Sequence, residues 1–297
     1  SNVIDSFTDE ANIIQALPYL NKSYHCKKHI KKITDDNVKV TLLDYVDEYE
    51  RVDIILSFDS DELKYKGLLT IDSDYRKDSI LLSITDLKYL SLGLSTYKSD
   101  WNKKGFVSSL EDENIRVQLL SHFSNDSDKA DIIKGLSDEV LKIGCLDLLK
   151  SEESVKKVIL SLRDEQDRFK YLERIKDDSN KVDIISTFTS QELLVSSLDQ
   201  VKSSYNKRKV ISKITDEKTI IGLFKYLDDY DKSEFVGKFS TEQLKCESLQ
   251  YFNSDYYKSS IIKTFTDIKY IEDGIKLLNE DWNKLEIIKL VSEDKDK

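Results

Sequence analysis

The amino-acid sequence predicts an all-α fold, an α-solenoid of about eleven helix-turn-helix repeats of 25–26 residues, wound into an elongated right-handed superhelix or arc. Three observations predict it. An apolar residue opens a unit at Phe7, Ile33, Phe58, Ile84, Leu110, Leu136, Leu162, Phe188, Ile214, Phe239 and Phe265, and Val291 opens a twelfth. Within each unit the apolar residues recur at helical spacing twice over. The two units of 25 residues, 33–57 and 214–238, both lose their residue just after the fourteenth slot (Val46-Asp47 and Leu227-Asp228), which marks a loop between two helices.

The first helix begins at the second slot, often Thr or Ser (Thr34, Thr85, Ser137, Thr189, Thr215, Thr266), followed by carboxylates such as Asp35-Asp36 and Asp138-Glu139. A hydroxyl as N-cap, with acids near the positive helix end, is a start signal. Apolar slots 1 and 6 then read as a hydrophobic staple. Slots 6, 7, 10, 11 and 14 share one face; slot 11 is apolar in every unit, from Leu17 and Leu43 to Leu249 and Ile275.

The second helix starts near the tenth-last residue, which is always Asp, Glu or Ser, and buries the third-last, which is always Ile, Val or Leu. Helices of about ten to twelve residues are marginal alone, and one pair cannot cover both its faces. Stacking covers them, in eleven layers that would extend on the order of 100 Å. The unbroken period predicts a single repeat domain over 1–297.

One Pro and eight Gly leave the helical array uninterrupted, and 34% charged with 10% aromatic residues fits an ordered, soluble protein rather than a disordered one. No apolar run approaches the roughly twenty residues needed to span a bilayer, so no membrane partner is expected. Cys26, Cys145 and Cys246 are odd in number and widely spaced, which predicts reduced structural thiols in a cytoplasmic, intracellular setting. A chain without Met, even at position 1, reads as part of a longer protein.

The segment His25-Cys26-Lys27-Lys28-His29 sets two imidazoles one turn apart beside a thiol, a spacing used in zinc sites. His29, however, fills a slot that is apolar elsewhere and no fourth ligand is evident, so neither a metal nor another cofactor is expected. His122 replaces a recurrent Tyr and reads as a surface residue. Gly-rich phosphate loops, GxSxG and HExxH are absent, and no catalytic residue is expected.

Two rows remain. The seventh-last slot is cationic in nine units: Arg51, Lys77, Lys103, Lys129, Lys181, Lys207, Lys232, Lys258 and Lys284. It lies one turn before a core position, so its stem should pack while the ammonium reaches carboxylates, among them the tenth-last acid. The ninth-last slot is aromatic in eight units: Tyr24, Tyr49, Tyr75, Trp101, Tyr205, Tyr230, Tyr256 and Trp282. It lies opposite the core face, where it either folds over the seam between repeats or anchors a partner.

The function expected is a non-enzymatic scaffold that binds another protein or an extended peptide along its surface, with those eight aromatics as the partner-binding residues. The alternatives are a single-stranded nucleic-acid-binding repeat protein and the recognition or spacer arm of a longer enzyme. A net charge of −10 argues against general nucleic-acid affinity, although a local basic stripe would permit it.

Overall fold

The computed structural model describes residue 7, residues 9–20 and residues 22–295, the side chains of 291–295 excepted. Among the described residues there are 22 α-helices and no strand. The fold is all-α and built of helical repeats. The chain divides into two compact units, Ser1–Ser154 and Val155–Lys297.

The core follows the two periodic apolar slots. In every repeat but the last, the slot-11 residue (Leu17, Leu68, Leu120, Leu198) and the third-last residue (Ile30, Leu81, Ile133, Ile211) are at most 1% exposed. Burying each such side chain stabilises the stack by about 1.5–3 kcal/mol. The exceptions are Ile275 and Ile288, in the last repeat, where no following helix pair covers them among the described residues. Each layer thus completes the interior of the one before it.

The helices are shorter than the periodicity suggests. Most first helices have six to eight α-helical residues and, in most repeats, close with a 3-10 turn, as in Glu113–Leu119 followed by Leu120–His122. The slot-14 residue therefore lies beyond the first helix. Leu20, Val46, Phe123, Ile175 and Phe252 are extended, each donating its N–H to the carbonyl three residues back, which folds the side chain over the core. Among the described residues none has a positive φ, so these helices end without the left-handed Gly that commonly closes one. Val291 does not open a twelfth repeat, because the helix Asp281–Lys295 runs through it.

The N-cap of the first helix is the third slot, not the second. Asp35, Asp86, Asp112, Asp138, Asp164 and Asp216 accept from the N–H two or three residues on. A carboxylate one residue nearer the helix displaces the hydroxyl, and slots 1 and 6 are then not a staple pair. The slot-2 hydroxyl bonds across to the preceding repeat instead. Thr85 and Ser137 donate both N–H and O–H to Asp61 and Glu113, the first helical residues one repeat earlier. Thr189 and Thr266 do the same to Glu165 and Glu242.

The second helix repeats this arrangement thirteen residues later. Asp74 accepts from the N–H groups of Lys98 and Ser99, as Asp61 does from Thr85 and Asp86. Asp126, Asp178, Asp229 and Asp255 each hold the equivalent pair of N–H groups 24 and 25 residues on. The cation one turn after the acid is equivalent too. Lys64 donates to the Ser83 carbonyl, and Lys77 to that of Thr96, each 19 residues ahead. Residues 58–70 (FDSDELKYKGLLT) and 71–83 (IDSDYRKDSILLS) show the same thirteen-slot template. The 26-residue repeat is two quasi-equivalent halves.

In the shortened repeats Asp47 and Asp228 follow the opening apolar residue directly, yet still cap their helices. Their ψ angles, 164° and 172°, exceed the 110–115° of Asp112, Asp35 and Asp86. A straighter backbone spans the missing residue, so the deletion stays in the loop.

Candidate interaction surface

Most of the cationic row is engaged in holding repeats together. Lys77, Lys232 and Lys258 are at most 6% exposed; each pairs with the acid three residues before it and donates to a carbonyl of the next repeat. Arg51 reaches the Thr70 carbonyl at 2.8 Å and Lys181 the Gln200 carbonyl at 2.7 Å. Lys103, Lys129 and Lys284 pair with Asp100, Asp126 and Asp281, and Lys207 lies over the Tyr226 ring at 4.3 Å. The carboxylates expected as partners are there, but the ammonium groups also cap the carbonyl end of the next helix.

The amino-terminal histidines differ in burial. His29 is fully buried in the apolar slot it fills, and Cys26 is buried beside a half-buried His25. Among the described residues no group of three or more His, Cys, Asp or Glu could hold a metal. His122 is half-buried rather than superficial, and burial, followed by the nearby Lys103 charge, lowers its pKa. All three cysteines are buried and free.

The aromatic row is exposed throughout, from 55% at Tyr230 to 85% at Tyr75. Every member is the second residue of its helix, which directs the ring away from the core. The row falls into two sets of four, Tyr24, Tyr49, Tyr75 and Trp101 in the first compact unit and Tyr205, Tyr230, Tyr256 and Trp282 in the second. Ser127, Glu153 and Ser179 occupy the slot between them.

Quasi-equivalence supplies an internal control for this row. The same position of the first helix is Ala11, Asn37, Glu62, Lys88, Asn114, Val140, Gln166, Glu192, Lys218, Gln243 and Lys269. None is aromatic, although the acid before it and the cation after it make the same contacts, 19 to 25 residues ahead, as in the second helix. The fold does not require a ring there. Folding over the seam accounts for none of the eight exposures.

No protein-family model, curated protein or solved structure matches the chain.

Local chemistry differs along the second set. The Lys209 ammonium lies 4.5 Å from the Tyr205 ring centroid, and exposed Lys202 precedes that helix. Tyr256 packs edge-on against Tyr257 at 5.2 Å. The Trp282 indole N–H donates to Glu280 at 3.2 Å, beside an Asp281 side chain that is 92% exposed. Periodicity could not single out Lys202, Lys209 and Glu280, because they lie in slots that vary, whereas Asp281 fills the regular acidic slot. A separate open cleft of about 490 Å³ lies between first helices, lined by Cys246, Tyr270, Asp273 and Lys276 among others. Among the described residues no helix is long and apolar enough to cross a membrane.

Proposed function

We propose that this chain is a non-enzymatic helical-repeat scaffold that binds another protein, as an extended segment, along the second helices of each compact unit. Tyr24, Tyr49, Tyr75, Trp101, Tyr205, Tyr230, Tyr256 and Trp282 are its anchors. One observation carries the reading. A large exposed aromatic recurs where the fold is indifferent to it, on one of two otherwise equivalent helices. Exposed rings of this kind supply contact area at low entropic cost and dominate many protein interfaces. The polar rows that could suggest other chemistry are largely engaged between repeats.

Selection of a displayed random-peptide library on the immobilised chain tests this. Bound peptides should be lost, with affinity falling tenfold or more, when Tyr230, Tyr256 and Trp282 are replaced together by Ala. Undiminished binding to that variant would overturn the reading. Salt-sensitive retention on single-stranded RNA that needs the same three rings would favour the nucleic-acid alternative instead.

A further inference from the structure

We propose that the row Tyr205, Tyr230, Tyr256 and Trp282 takes a polyproline-II segment with an apolar residue at every third position, acidic at its Tyr205 end and basic at its Trp282 end. This deepens the reading above and rests on it.

The first argument is register. The helices that carry the four rings are neighbours in one layer. Arg208 pairs with Asp231 at 2.8 Å, Asp229 accepts the N–H groups of Asn253 and Ser254, and Asp255 those of Asn279 and Glu280. Helices packed side by side lie about 8–10 Å apart. Three residues of polyproline II advance about 9.3 Å and return a side chain to the same face. A β-strand presents one face at about 6.6 Å and then about 13 Å, which fall on either side of that helix spacing. An α-helix repeats its face over about 10.5 Å. It also needs a trough to receive its stripe, and these rings stand 55–68% exposed, one on each neighbouring helix.

The second argument is backbone chemistry. A strand-like partner needs a sheet edge to satisfy its N–H and C=O groups. Among the described residues there is no strand, and helical backbone offers few free groups. Polyproline II keeps its backbone solvated and asks only for flat apolar surfaces between which prolines fit.

Charge sets the ends. Lys202 and Lys209 stand exposed around Tyr205, whereas Glu280 stands exposed around Trp282, next to an Asp281 carboxylate that is 92% exposed and pairs with Lys284. A segment of opposite polarity pairs with both.

The experiment measures fluorescence anisotropy of labelled synthetic peptides with the full chain. The test peptide has four triplets, each with Pro next to Leu, Glu at one end and Lys at the other. Comparators place the same residues in alternation or in a heptad pattern, or carry Lys at both ends. The triplet peptide should bind at least tenfold more tightly than the alternating and heptad forms. Its affinity should fall tenfold or more in the Tyr230→Ala/Tyr256→Ala variant, with unchanged circular dichroism. Lys202→Glu/Lys209→Glu should weaken it severalfold, and should weaken the peptide with Lys at both ends less.

Equal or tighter binding of the alternating or heptad peptide, lost in the aromatic variant, would overturn this inference and leave the scaffold reading standing. No binding of the triplet peptide would also overturn it. An oligouridine probe that displaces the peptide and needs the same tyrosines would overturn both.

Discussion

The ammonium of Lys77 donates to the carbonyl oxygen of Thr96 at 2.5 Å, joining the second helix of one repeat to the end of the first helix of the next. Asp74 lies 3.3 Å from the same nitrogen and accepts the N–H groups of Lys98 and Ser99. A buried cation and a buried anion thus satisfy both ends of a neighbouring connection at once.

Lys77→Ala should destabilise the first unit by about 3 kcal/mol or more, because it leaves Asp74 buried without its counter-charge. Lys98 pairs with Asp72 in the open, both side chains more than 60% exposed. Lys98→Ala should cost less than about 1 kcal/mol. Urea denaturation of the two variants measures the contrast, and equal midpoints would refute it.

Gly67 and Gly105 should respond in opposite directions to Ala. A Cβ at Gly67 would lie 2.5 Å from Cγ1 of Ile55, a buried, β-branched side chain with little room to turn. Gly67→Ala should therefore destabilise by about 1–3 kcal/mol through overpacking. Nothing lies within 4 Å of a Cβ at Gly105, inside the helix Asp100–Ser109. Gly105→Ala should stabilise by about 0.5–1 kcal/mol through helix propensity. Thermal midpoints that move together would contradict the packing.

Acid should loosen the stack. The Ser137 hydroxyl, with the Ser137 and Asp138 N–H groups, lowers the Glu113 pKa from 4.5 to about 2. The N–H of Ser151 lowers that of Asp126, and the N–H of Ser203 that of Asp178. A group depressed in the folded state stabilises fully above its unfolded pKa and loses that contribution as pH falls through the folded one. Thermal stability should hold above about pH 5 and decline toward pH 2. Glu113→Gln should be less stable than the parent at neutral pH and should lose less on acidification. Parallel pH profiles would rule the carboxylate contacts out as the cause.

The thiols should be silent while the fold is intact. Burial raises the pKa of Cys26, Cys145 and Cys246, which leaves little thiolate at neutral pH. An aromatic disulfide reagent should label none within minutes and all three once urea unfolds the chain. Rapid labelling of any one would show that its layer opens.

Much of the fold was legible because apolar periodicity reports burial directly. Leu120 and Ile133 were placed in the core by slot alone and are 1% and 0% exposed. Cap placement was less legible, since Thr85 and Asp86 are both good caps and only the neighbouring Asp61 decides which is used. The aromatic row was visible in the sequence, and so was its direction on the helix. What it lacked was a reference position. Glu62 and Lys88 became comparable with Tyr75 and Trp101 only once both helices proved to make the same contacts.

The sequence alone determined the helix spacing, the core and the loop that absorbs the two deletions, because apolar burial and helical period are local properties that thirteen or twenty-six residues can express. Only the tertiary structure decided the duties of the polar rows. The backbone partners of Asp74 and Lys77 lie 19 to 25 residues ahead, and whether a charge meets them or faces water depends on how one helix lies against another.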